Sequence, residues 1–224
     1  MAKYCRVLTF NQKLPSFVVV SGFCGTGKTT VACQAVIETA FTKGKVIFIN
    51  SDGENEFMLR LFDDCKSCCL RDVKTSKTAS DIILKTATSV KVEEQISTAK
   101  ELISKYGGSD ISLVVIDDVI DTTNNMEKLR NFFNTVCWPN EIGLLVTVKR
   151  IKHFGVDGTK PMSFPDEIYA ICDTDDEYGI YNNIKLAMVK CRWTSSRTSF
   201  SSTGDIVALG KTKDNKIYKV NLDL

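Results

Sequence analysis

A single histidine, His153, occurs in the whole chain, which argues against catalytic triads built on an imidazole base and against metal centres built on several histidines. Charge of one sign is also scarce. The 29 Lys and Arg residues face 27 Asp and Glu, a formal net charge of +2, so the chain is neither a polycationic tail nor an acidic disordered protein. Long hydrophobic runs are missing: runs such as Phe17 to Val20 and Leu113 to Ile116 fall far short of the roughly 18 residues that cross a bilayer. The first residues, Met1-Ala2-Lys3-Tyr4-Cys5-Arg6, have no apolar stretch followed by a small-residue cleavage site, so no secretory signal is expected. The expectation is an intracellular protein without a membrane partner. No internal repeat or low-complexity linker stands out; there is only a polar Ser/Thr-rich run from Thr194 to Thr203.

Cysteine is plentiful, with nine residues. The number is odd, and Cys24, Cys33, Cys137, Cys172 and Cys191 lie inside apolar or motif segments, where a thiol acts as a small hydrophobe. A reducing compartment follows. The cluster Cys65, Cys68, Cys69 has no second C-x-x-C and no nearby histidine, short of the four ligands that a zinc site needs. At 224 residues with 43% hydrophobic content the chain can bury one large core, and the reading is a short segment over 1–16 followed by one domain over 17–224.

Apolar β-branched runs alternate with helical stretches, the pattern of a mostly parallel sheet with helices on its faces. Strands are expected at 17–20, 45–50, 113–116, 143–148, 168–172 and 184–189, and a closing β-hairpin at 205–209 and 216–220. Helices are expected at 29–41, 54–64, 80–105 (one or two) and 126–137, the last ending before Pro139. The class is α/β.

Gly22-Phe23-Cys24-Gly25-Thr26-Gly27-Lys28-Thr29 fits G-x-x-x-x-G-K-[ST] at every fixed position, with a strand before it and a helix after it. The glycines let backbone N–H groups turn inward around phosphate oxygens, and the helix N-terminus adds its positive dipole. Lys28 supplies a point charge for the β and γ phosphates, Thr29 a hydroxyl for Mg2+, and Gly22, Cys24, Gly25, Thr26, Gly27 and Thr30 complete the cradle. ATP with Mg2+ is the implied ligand. The strand at 113–116 ends in Asp117-Asp118, where a parallel strand delivers its C-terminal end to the same crevice. Asp117 is the second metal candidate, through water. A water-activating carboxylate beside the γ-phosphate would come from Asp118 or from Asp52 and Glu54 at the end of the second strand.

This order of parts resembles the RecA-like P-loop ATPases, most closely the motor domain of DnaB-type (superfamily 4) hexameric replicative helicases. The resemblance covers about residues 17 to 215, and it rests on the phosphate-binding loop, on Val46 to Leu61, on Leu113 to Asp118, on Thr159 to Ser163 with Asp166 to Cys172, and on Met188-Val189-Lys190-Cys191-Arg192. It implies a RecA-like fold with a C-terminal hairpin, ATP hydrolysis, a homo-oligomer such as a hexameric ring, single-stranded DNA as track, a role in DNA replication, and a loader or primase as partner. It also implies that Lys190 and Arg192, matching the family's K-x-R pair, reach into a neighbouring subunit's nucleotide site to stabilise charge on the transferring phosphate, with Arg197 as the fallback. The sequence departs from the family at two places. The catalytic glutamate falls at Ser51, leaving Asp52, then Glu54, then Asp118 to serve. The polar sensor after the fourth strand is replaced by Val146-Thr147-Val148-Lys149-Arg150, where Thr147, Lys149 or Arg150 would take the role. The loop after that strand carries Lys149, Arg150, Lys152, His153 and Lys160 with Phe154 between them, a composition suited to a sequence-neutral grip on a single strand. A stripped motor of this kind suits a virus or mobile element, in a host cytoplasm.

Other readings remain open: a RecA- or KaiC-like recombination or regulatory ATPase, a nucleic-acid packaging ATPase, a non-hydrolysing switch, or a P-loop kinase of a small metabolite. The kinase needs lid arginines closing in cis, and between residues 65 and 110 the only arginine is Arg71.

Overall fold

β1 (Phe17–Gly22) is buried along its whole length, as its run of Phe and Val requires of a strand with no solvated face. In the computed structural model of the chain, which describes residues 15–23, 26–42, 44–50, 82–86, 90–120, 122–149, 164–172, 183–191, 206–211 and 217–220, β1 lies between β5 (Gly143–Lys149) and β6 (Glu167–Cys172). The other parallel strands are β2 (Lys45–Asn50), β3 (Ile82–Thr86) and β4 (Ile111–Ile120). The order β3-β2-β4-β5-β1-β6 is parallel throughout. Beyond β6 the sheet continues through the antiparallel strands β7 (Asn183–Cys191), β8 (Ile206–Lys211) and β9 (Ile217–Val220).

Strand alternation divides the parallel sheet into two apolar faces. One face carries Val19, Ile47, Ile49, Val114, Ile116, Leu144 and Val146, which pack with α2 (Val92–Tyr106) and α3 (Thr123–Phe132) into the main hydrophobic cluster. The other faces α1 (Lys28–Thr42), whose Val31, Ala32, Ala35 and Val36 are fully buried. In α2, Val92, Ile96, Ala99 and Ile103 recur at helical spacing on the buried side, Glu93 and Glu94 in the first turn and Lys105 in the last complement the dipole, and Gly107 ends the helix at φ 82. The Thr122 hydroxyl caps α3, accepting from the Asn125 N–H at 3.2 Å. No helix among the described residues is long and apolar enough to cross a membrane.

Two expected elements change. Residues 80–105 are not continuously helical: 82–86 form β3, parallel to β2 at the edge of the six-stranded run. Ile82-Ile83-Leu84 is a short apolar run that periodicity cannot distinguish from a helical turn, and pairing with the buried β2 decides for strand. The helix at 126–137 is α3, extended by a π turn (Phe133–Cys137) and a 3-10 turn (Trp138–Asn140) that takes Pro139 in its first turn. The wider turn leaves Phe133 and Cys137 buried. The helix expected at 54–64 and the Cys65, Cys68, Cys69 cluster lie outside the described residues.

At the N-terminal edge of the sheet a buried ion pair closes the core. Asp166, 1% exposed, accepts from Arg130 of α3 at 2.8 Å and from the Phe17 N–H at 3.0 Å, and its own N–H donates to the Phe17 carbonyl at 2.8 Å. β6 is thereby fastened to the start of β1. Arg130 also lies 5.3 Å over the Phe133 ring.

Candidate nucleotide site

Gly22 ends β1, and the chain turns at once into α1. The turn is held from inside, because the Phe23 carbonyl accepts from the Thr26 hydroxyl at 2.9 Å and from Lys28 Nζ at 2.8 Å. Gly27 has φ 91, a left-handed conformation that a side chain would oppose, and its carbonyl takes the first helical bond, from the Val31 N–H at 3.0 Å. The opening turn of α1 is Lys28-Thr29-Thr30, with no acidic residue. First-turn N–H groups have no partner within a helix, and the turn itself contributes no carboxylate to occupy them. A helix start of this kind can receive an anion, and Lys28, in its first turn, is only 7% exposed.

The acids arrive from β4. β5 lies between β4 and β1, so the carboxylate strand and the phosphate-loop strand are two strands apart, and α1 crosses above both on one face. Asp117 is 1% exposed. Its Oδ2 accepts from the Thr29 hydroxyl at 2.9 Å, although the two residues are 88 apart in sequence, and its Oδ1 accepts from the Thr147 hydroxyl at 2.5 Å. The β4–β5 register breaks here: Ile116 pairs with Val146 and Val119 with Val148, so Asp117 and Asp118 together stand opposite Thr147. This is a β-bulge. Asp118 takes φ 59, uncommon for a side-chain-bearing residue, and its N–H donates to Thr147 Oγ1 at 2.7 Å.

Of the residues read from the sequence, the fold brings together Gly22, Thr26, Gly27, Lys28, Thr29, Thr30, Asp117 and Asp118 at the C-terminal ends of β1 and β4. Lys149 ends β5, exposed, in register with Gly22 and Ile120, so it starts at the phosphate-loop edge of the sheet. Lys190 stands at the far edge: it pairs with Ile168, which pairs with Val19, while Cys191 pairs with Glu167. Val19 is three residues before Gly22, about 10 Å along the strand. Cys24, Gly25, Asp52, Glu54, Arg150, Lys152, His153, Phe154, Lys160, Arg192 and Arg197 lie outside the described residues. Thr147, one of the three residues read for the sensor position, contacts Asp117 and Asp118. Its signal was a lone hydroxyl in the otherwise apolar stretch Leu144 to Val148. Among the described residues no His, Cys, Asp and Glu cluster with metal-site spacing occurs.

The oxygen atoms of Thr29 and Asp117 are hard donors, held side by side, and fit Mg2+ better than a soft metal. Cys33 and Cys137 are both buried. Burial pushes the Cys137 thiol well above its usual range.

The sequence matches no protein-family model and no curated protein. Solved structures do match. An ATPase domain of known structure superposes with a TM-score of 0.65 at 16% identity, over 95% of this chain and 86% of that one. A DnaB-like replicative helicase, described with its interactions with primase, superposes with a TM-score of 0.61 at 14% identity, over 92% of this chain and 57% of the helicase chain. The likeness is one of fold: a six-stranded parallel sheet with flanking helices, shared over most of the chain with the RecA-like ATPase domains of DnaB-like helicases.

Proposed function

We propose that this chain is an ATP hydrolase acting as the motor core of an oligomeric, DnaB-like DNA helicase or translocase. The observation that carries the reading is the Thr29–Asp117 contact, which joins a phosphate-binding helix start to a buried acid across the sheet. In the proposed site the loop N–H groups and Lys28 hold the β and γ phosphates, orienting them and offsetting their charge. Thr29 and Asp117 would hold Mg2+, which when bound supplies Lewis-acid neutralisation of charge on the phosphate oxygens. Asp118, beside Asp117 on the bulge, joins Asp52 and Glu54 as a group to orient or deprotonate the attacking water.

The register of β7 supports a role in trans for the basic pair. Lys190 lies level with Val19, away from the end of β1 that carries its own chain's phosphate loop, which favours service to a neighbouring subunit's site. Lys149 with Arg150, Lys152 and Lys160 forms the grip on single-stranded DNA, and the primase partner named for the helicase relative carries over as a replication partner. A ring or filament follows from the shared site, and the resemblance favours a hexameric ring.

Subunit mixing tests the trans role. Lys28→Ala and Arg192→Ala proteins should each be inactive alone, and mixtures should regain turnover because some interfaces pair an intact loop with an intact basic pair. Co-assembly without recovery at any ratio would overturn the shared site. Light scattering with and without ATP separates the motor from a P-loop kinase, which stays a small species.

A further inference from the structure

We infer that Thr147 is a positioning residue for the acidic pair, holding Asp117 in its metal-binding orientation and fixing Asp118 on the bulge. The inference rests on the nucleotide reading and deepens it. β5 runs Gly-Leu-Leu-Val-Thr-Val-Lys, with every residue except Lys149 buried. A hydroxyl at 0% exposure in such a strand is costly unless its hydrogen-bonding capacity is used. Here it is used in both directions. A threonine hydroxyl has one proton and lone pairs to accept with: the proton goes to Asp117 Oδ1 and an acceptor site takes the Asp118 N–H.

The bulge accounts for the bond to the Asp118 N–H. Two β4 residues stand against one on β5, so regular pairing is interrupted at Asp117 and Asp118 between Ile116 and Val119. Thr147 bonds to the Asp118 N–H within that interruption. Asp118 sits at φ 59, a conformation that persists only when its surroundings hold it. Asp117 is held from both sides, by Thr29 on Oδ2 and Thr147 on Oδ1. If Thr29 turns to a metal, Thr147 remains to fix the carboxylate plane. A hydroxyl at the middle strand, between the phosphate loop and the acid, therefore does what a side chain on either outer strand could not: it contacts both acids from directly across the bulge.

The test separates this role from simple packing. A fluorescent ATP analogue is titrated against wild type, Thr147→Val and Thr147→Ser, in EDTA and over a series of Mg2+ concentrations. Valine keeps the shape and removes the hydroxyl; serine keeps the hydroxyl and removes the methyl. Thr147→Val should bind the analogue in EDTA within twofold of wild type, since the loop and Lys28 are untouched. Its half-effect concentration of Mg2+ should rise about tenfold, the equivalent of losing about 1.4 kcal/mol. Thr147→Ser should restore most of the difference. An unchanged Mg2+ midpoint in Thr147→Val, or equal defects in the serine and valine proteins, would overturn the inference while leaving the nucleotide site standing. Wild-type protein that binds no analogue would overturn the nucleotide reading itself. If Thr147→Val loses binding in EDTA as well, Thr147→Ala, which sets no methyl against Asp117, takes its place under the same criteria.

Discussion

Replacing Arg130 with methionine would remove the charge from the Arg130–Asp166 pair while keeping most of the aliphatic stem. Asp166 is 1% exposed and would keep its bond from the Phe17 N–H but lose its cation, leaving a carboxylate buried at the seam between β1 and β6. Breaking a buried pair from one side costs about 3–5 kcal/mol. The side chain of Arg130 is itself 21% exposed, so water already shares its charge, and the lower end, about 3 kcal/mol, applies. For a protein of this size 1 kcal/mol moves the midpoint by roughly 2–4 °C, so thermal unfolding followed by circular dichroism should shift down by about 6–12 °C. Arg130→Met with Asp166→Asn should recover most of the loss, because no charge is then stranded. Nucleotide affinity at about 20 °C should change less than twofold, since Phe17 and Gly22 lie at opposite ends of β1, about 16 Å apart. A shift under about 2 °C in the single variant, or a double variant no better than the single, would refute the assignment of the pair as the clamp on β6.

Other consequences are directly measurable. Cys137, pushed up by burial, stays protonated through neutral pH; iodoacetamide should label it only after denaturant is added, and rapid labelling of the native protein would contradict its burial. Glu93 on α2 is held below its ordinary range chiefly by Lys128 of α3, its ion-pair partner. This contact helps the folded state above the ordinary carboxylate pKa and is lost as pH falls through the lowered one; in Lys128→Met, NMR titration should show the Glu93 carboxyl back near its usual value, and no change would discount the pair. Lys28→Ala should abolish turnover, whereas Arg192→Ala should leave ATP binding within about threefold and stop hydrolysis. Arg192→Ala with undiminished turnover would remove the basic pair from the site.

The strand–loop–helix unit that carries Gly27, Lys28 and Thr29 is legible in the sequence because it is local, set by a spacing that a sequence displays. The apolar runs are equally plain, since a parallel strand buried on both faces shows a continuous apolar stretch, as at Phe17 to Val20 in β1 and Leu113 to Ile116 in β4. Features that depend on a neighbour are not. Ile82-Ile83-Leu84 reads equally as a helical turn until β2 is beside it. The bulge at Asp117-Asp118 arises only in register with Thr147, and the residues that meet there are 29 and 30 apart in sequence. Asp166 reads as a strand lead-in, and its partner Arg130 lies on a helix 36 residues away. The register of β7 adds what the sequence could not say alone of Lys190 and Cys191, namely that they lie beside Ile168 and Glu167.

The most direct measurement is ATP hydrolysis by the purified chain with and without single-stranded DNA, with Lys28→Ala as the blank. A motor built on the Lys28, Thr29 and Asp117 site should hydrolyse ATP above the blank and accelerate several-fold on DNA. Turnover equal to the blank would contradict the ATPase assignment, and turnover indifferent to DNA would contradict the motor.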